Sequence, residues 1–337
     1  MRERVFFFDV LRCIAALAVV AIHVLAPYRH GLDIIPFDQW FTAVTVNGAS
    51  RWAVPVFIMI TGALMLSDSR PFELGYYLKR RVGKVVVPFL IWSVFYALLS
   101  AWNIAGFDFQ FSLAVLADLP FQETYYHLGF FYYFIPLYLV VPFLRMFVQQ
   151  DDNGATYALL GAWFITCGLF LAEIEGIWNT ELWLFSGYLL LGYLLFQRVA
   201  ISPNRLWVSA VIGGGAIAVS VGMVVANSVD LKGYDSGRWF SYNSLNTVVI
   251  AATVFYVFRG IAEQVPQSCR TAIVFMSRHS LGIYLLHPLF LWPMKTFAWY
   301  QGHPGWLIPM WVLLSVVGSL LLSWVLSLSN KTKWLVP

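Results

Sequence analysis

Apolar runs long enough to cross a lipid bilayer recur from one end of this 337-residue chain to the other. The hydrocarbon core is ~30 Å thick, so about 20 residues of helix cross it. Inside it every backbone N–H and C=O must be bonded within the structure, which leaves helices and closed barrels. A barrel is written in alternating segments of about ten residues, and the sequence has no such series. The expected fold is therefore all-α, a polytopic transmembrane helical bundle of about ten helices. Charged residues make up only 11% of the chain, against about 25% in a soluble domain.

The expected spans are Phe8–Pro27, Trp52–Ser67, Val82–Ala105, His127–Val148, Tyr157–Leu171, Leu182–Gln197, Leu206–Ala226, Asn243–Phe258, Ala272–Ala298 (interrupted by Pro288 and Pro293) and Trp306–Leu328. Linkers are short and there is no repeat, so a single integral-membrane domain over 1–337 is expected, without a fused soluble domain. The first run is full length and holds Arg12 and His23, unlike the apolar core of a cleaved leader. Cys13, Cys167 and Cys269 make no disulfide framework, and the first two read as buried thiols.

Orientation follows from lysine and arginine asymmetry. With the N-terminus in the cytoplasm, all but five of the 21 basic residues fall on the cytoplasmic side, from Arg2 and Arg4 to Lys331 and Lys333; the exceptions are Arg29, Arg51, Lys232, Arg238 and Lys295. Both termini are expected there. The loops after the third and fifth spans carry Asp108, Asp118, Glu123, Glu173, Glu175 and Glu181 and no basic residue. The net charge of +4 is spread over helix ends rather than gathered on one soluble face, so no nucleic-acid partner is expected.

An ionisable side chain within a span is costly and points to function. Asp9 and Arg12 lie three apart in the first span and can pair. Arg12 and His23 lie eleven apart, which on a helix is ~16 Å of rise along one face. Taken singly, Arg12 is either a snorkelling anchor or a ligand-binding cation, and His23 either a bonded core histidine or a base. Lys79, Arg80, Arg81 and Lys84 form a basic cluster running into the third span. It reads either as a lipid-headgroup determinant or, since Lys84 lies inside the apolar run, as a polyphosphate site. His127 opens the fourth span, and His287 lies within the ninth. Spacing between such distant segments does not define a zinc site, and no metal is expected. Ser277 and Ser280 either cap the ninth span or line a site. His30, His279 and His303 are expected to be solvated.

These residues resemble the membrane acyltransferase 3 family over nearly the whole chain. Arg12 to His23 is similar to the family's R-x10-H motif, with Asp9 before it. SRWAVPVFIMITGALM from Ser50, with Arg51, Pro55 and Gly62, resembles its second helix. Arg81 and Lys84 are similar to its R-x-x-R motif; Lys84 replaces the second arginine, which keeps the charge and loses the fork. His127 in HLGFFYYFIPLYLVVP is similar to its H-L-W-F segment, with Gly129 in place of tryptophan. SRHSLGIYLLH resembles its penultimate-helix signature through Ser280, Gly282, Tyr284 and His287.

The resemblance is strongest to the stand-alone branch that includes the O-acetyltransferase of enterobacterial common antigen. It implies a multi-pass protein of the bacterial inner membrane that moves acetyl from cytoplasmic acetyl-CoA to a hydroxyl of a cell-envelope glycan or lipid-linked sugar. Arg12, Arg80, Arg81 and Lys84 would hold the donor phosphates. His23 would be the base, with His127 and His287 beside it and Asp9, Arg51, Ser277, Ser280 and Tyr284 in support. Membrane lipids and the glycan acceptor are the expected partners. A polysaccharide or small-molecule exporter is the alternative, because ten helices with polar residues inside suit transport too, and proline-broken helices recur there.

Overall fold

The computed structural model describes residues 4–103, 106–150 and 154–337; Arg2 and Ala105, named above, lie outside them. The helices are α1 Phe6–Val24, α2 Ala26–Arg29, α3 Phe37–Ser50, α4 Ala53–Leu66, α5 Leu74–Tyr77, α6 Gly83–Ser100, α7 Phe109–Ala117, α8 Gly129–Gln150, α9 Gly154–Leu171, α10 Glu181–Gln197, α11 Pro203–Asp230, α12 Leu245–Ile261, α13 Gln267–Arg278, α14 Ser280–Thr296 and α15 Pro304–Ser327. Two-residue strands, β1 Trp102–Asn103 and β2 Gly106–Phe107, pair antiparallel between α6 and α7.

Among the described residues, eight helical stretches are long and apolar enough to cross a membrane. The sixth and ninth expected spans appear as α10 and α14, of 17 residues each. At ~1.5 Å per residue each covers ~25 Å, slightly less than the hydrocarbon core.

The bundle is organised around α4 and α10, whose backbones meet at two glycines. A Cβ on Gly62 would lie 2.0 Å from the Leu189 carbonyl oxygen, and one on Gly192 would lie 2.1 Å from that of Met59. In lipid, helix association rests on such close packing because the tails are as apolar as leucine. Around this pair run α1 and α12, while α9, α11 and α15 lie outside: only 17–22% of their most apolar stretches is buried, against 72% for α1. Ile165, Trp207 and Leu313, all well exposed, mark those outer faces. Hydrogen bonds tie the layers: Trp163 Nε1 donates to the Leu184 carbonyl at 2.8 Å, Tyr188 to Tyr242 at 2.6 Å, and Tyr96 to Leu285 at 2.6 Å. Cys13 and Cys167 are buried free thiols and Cys269 is exposed.

Two expected boundaries are corrected. The second span is preceded directly by α3, with a turn at Arg51–Trp52 between α3 and α4. Polar residues such as Asp38, Gln39 and Asn47 make α3 look like a loop in sequence, yet Trp40, Val44 and Asn47 are fully buried. The ninth span breaks at His279, where φ is −101° and ψ is 9°, and not at its prolines. Pro288 and Pro293 lie inside the continuous α14. Neighbouring helices and side chains can re-satisfy the carbonyls that such prolines free.

Candidate active site

Both ends of α1 carry the chemistry. Near its start Asp9, almost fully buried, accepts two bonds from Arg4, both at 2.6 Å, and a third from the Ser277 hydroxyl at 2.6 Å. Arg12 stands 3.9 Å from the same carboxylate. Arg4 thus settles most of the Asp9 charge, and Arg12 keeps donors free for a ligand. Ser277 does not cap α14; it sits at the end of α13 and fixes Asp9. Ser280 opens α14 without a capping bond of its side chain and lines the space beside Arg12.

That space is a cavity of about 630 Å³, bordered by Arg4, Asp9, Arg12, Arg278 and Ser280. Arg12, Leu64, Ser280 and Leu281 also border a narrower cavity of about 210 Å³, which runs past Phe57 and Phe134 to Phe130 and Tyr284. Phe130 and Tyr284 in turn border a third cavity of about 600 Å³, which holds His23, His127, Arg29, Arg51, Glu123, Glu181 and Lys295. Shared lining residues thus make these three cavities neighbours, spaced from the Arg12 end of α1 to its His23 end.

The basic cluster has a local structure that spacing alone did not reveal. Leu78–Val82 is a π-helical turn between α5 and α6; such turns are rare and concentrate at functional sites. Arg81 faces a fourth cavity, about 300 Å³, with Arg70, Arg145, Tyr76 and Tyr77. Arg70 bonds Asp68 at its rim and holds that carboxyl down to about 2. Tyr77 donates to the Tyr138 carbonyl at 2.6 Å, and the Tyr138 phenol lies within electrostatic reach of both Arg12 and Arg81. Arg80 and Lys84 are exposed and border none of these cavities. Lys84 lies within the apolar run but not inside the bundle, and it does not join Arg81.

At the other end the three histidines from α1, the α8 entry loop and α14 meet. The His23 ring stacks on His287 with centroids 5.1 Å apart, and His127 meets His287 edge-on at 5.5 Å. Tyr126 lies 4.8 Å from His23. Pro288 explains how His287 is oriented. Proline lacks the N–H that would bond the Tyr284 carbonyl four residues back, and His287 Nδ1 bonds that carbonyl at 2.7 Å. A carbonyl only accepts, so the proton is on Nδ1 and Nε2 carries the lone pair. Nε2 is buried and has no hydrogen-bond partner. Neither His127 nitrogen makes a hydrogen bond of good geometry, although the Leu285 carbonyl is beside the ring. Tyr284 donates its hydroxyl to the His127 carbonyl, fixing the loop to α14. Among the described residues no group of three or more His, Cys, Asp or Glu is arranged to hold a metal ion. The stacked rings face each other with their planes rather than with their nitrogens.

His30 and His303 are exposed as expected, whereas His279 is half-buried and bonds Ser323 Oγ at 2.9 Å. Sequence reasoning passed over Tyr126, Glu123, Glu181 and Tyr242 as cavity residues, and used Arg29 and Lys295 only as topology markers. Each sits in a loop or at a helix end, where nothing local reveals that it converges on His23.

The fold is that of a multi-pass membrane protein in which a cationic cavity and a cavity lined by His23 and His127 lie at opposite ends of α1. The chain belongs to the acyltransferase 3 family: the family model described as an acyltransferase domain matches residues 5–328. It is a membrane acyltransferase. No curated protein and no solved structure matches it significantly.

Proposed function

We propose that the protein is an O-acetyltransferase of the bacterial inner membrane. It takes acetyl from cytoplasmic acetyl-CoA and passes it to a hydroxyl of a cell-envelope glycan or lipid-linked sugar, as in the family branch that includes the O-acetyltransferase of enterobacterial common antigen. The observation that carries this reading is the series of cavities from Arg12 to His23. The basic end suits the CoA phosphates, with the guanidinium of Arg12 in its cavity and that of Arg81 in the fourth cavity each able to fork onto phosphate oxygens. The narrow middle cavity, lined by aromatic and aliphatic side chains, suits a linear pantetheine arm. Along α1, Arg12 and His23 are separated by ~16 Å of helix rise.

In the histidine cavity His23 takes the proton of the acceptor hydroxyl as its oxygen attacks the thioester carbonyl. The C–S bond breaks, CoA leaves as the thiol, and the acetyl ester remains on the sugar. The His23 ring is held between His287, stacked on it, and Tyr126.

Transfer of labelled acetyl from acetyl-CoA to an envelope glycan fraction tests this, with the purified protein in lipid nanodiscs. His23→Ala is expected to lower transfer about 10²–10⁴-fold and to leave CoA binding unchanged. Arg12→Ala and Arg81→Ala are expected to weaken CoA binding. A folded His23→Ala protein with full transfer would end the mechanism. Absence of both CoA binding and transfer in the wild-type protein would favour the exporter reading, for which the same cavities would serve as a path.

A further inference from the structure

The histidine cavity holds three cations, Arg29, Arg51 and Lys295, and two acids, Glu123 and Glu181. None of the three forms an ion pair with a described residue. They sit instead on aromatic faces. Lys295 Nζ is 3.6 Å from the Tyr126 ring centroid, and Arg51 lies over Phe240 and Tyr242 at 5.8 and 5.5 Å. Arg29 lies over Tyr234 at 5.9 Å and bonds His30. An aromatic seat covers the flat face of a guanidinium and leaves its donor edge free to fork onto an oxyanion. The Arg51 Nε is buried and has no hydrogen-bond partner. The cations also oppose one another: burial first, and the charge of Arg51 as well, pull Arg29 below its ordinary value. Glu123 and Glu181 are exposed at the cavity and do not neutralise them. Gathering like charges out of bulk water is costly unless an opposite charge arrives.

We infer that the acceptor carries an anionic group, a sugar carboxylate or a sugar phosphate, which Arg51, Arg29 and Lys295 hold while its hydroxyl is presented to His23. This rests on reading the cavity as the acceptor site. The anion recruits the acceptor and sets which hydroxyl meets the base, so the cations act in specificity and the histidines in transfer.

The test measures equilibrium binding with no acyl donor present, so it stands apart from whether acetyl transfer is observed. The full chain in phosphatidylcholine nanodiscs is titrated with methyl glucuronide, glucose 1-phosphate and the neutral methyl glucoside. The expected result is that both anionic probes bind about tenfold or more tightly than the neutral one, the scale of a charge-assisted contact. Arg51→Gln and Lys295→Met should each remove that preference, Lys295→Arg should retain it, and unchanged thermal unfolding shows that the variants are folded. Equal binding of all three probes, or a preference that survives both charge-removing variants, would overturn the inference. So would loss of sugar binding on adding phosphatidylglycerol to the discs, because the cations would then belong to lipid headgroups.

Discussion

At the Arg12 end of α1, Asp9 is bonded by Arg4 and Ser277, and Asp68 by Arg70; at the His23 end, Arg51 and Lys295 share a cavity with Glu123 and Glu181 and pair with neither. The first end is a finished dock, built largely from charges that already have partners, with Arg12 and Arg81 turned to the cavities. The second keeps its cations on aromatic rings, and His287 and Arg51 each keep a buried nitrogen without a partner. A finished dock fits a ligand that is the same at every turnover. An unsatisfied cavity is stabilised by whatever brings the missing charge and hydrogen-bonding groups, and under the proposed function this is the end that would select the acceptor.

The strongest way to break the comparison is to separate α4 from α10, since both ends hang on that contact. Gly62→Val would drive side-chain carbons into the Leu189 backbone. Overpacking costs about 1–3 kcal/mol in an adaptable core, and more is expected against backbone. A large fall in the unfolding midpoint, with donor binding and transfer lost together, is the expected outcome. Retention of one end without the other would show that the two are not mechanically joined.

Pro288→Ala separates the ends without unfolding either. The restored N–H competes for the Tyr284 carbonyl, so His287 loses its fixed tautomer. Transfer is expected to fall by about three- to tenfold, the scale of one hydrogen bond of about 1 kcal/mol, with CoA binding unchanged. Nitrogen chemical shifts of the labelled histidine should show the proton on Nδ1 in the wild-type protein and a mixture in the variant. The smallest change is expected from Lys84→Ala, which is exposed and borders no cavity. Its CoA affinity should stay within about fivefold, as surface charges contribute ~1 kcal/mol or less, whereas Arg81→Ala should lose far more. Equal losses in the two would restore Lys84 to the donor site.

Much of the bundle was legible because membrane spans are written in apolar length, which needs no tertiary knowledge. The lengths of α1, α8, α10 and α15 could be read almost directly. The interval from Arg12 to His23 was legible for the same reason, since both lie on one helix. What could not be read depends on contacts between segments. α3 is a polar-looking stretch that becomes a buried helix only because other helices cover Trp40 and Asn47. The prolines of α14 suggested a break that their freed carbonyls do not cause, and the break fell at His279 instead. Lys84 seemed to join Arg81 by spacing, and the π turn sends Arg81 to a different cavity. Lys295 and Tyr126 had no local mark of their pairing, because it depends on the loop before α8 meeting the last turn of α14.

The wall between the middle cavity and the histidine cavity is formed by Phe130 and Tyr284, the residues that border both. A membrane protein hollowed from both ends short-circuits its bilayer unless something keeps hydrated ions and protons from crossing. Phe130 and Tyr284 stand between the two cavities, and Tyr284 is held in place by its bond to the His127 carbonyl. A gap tight enough to hold back a hydrated ion also limits the group carried past it. Under the proposed function, electrical tightness and a limit on acyl-chain length would be one property of these two side chains.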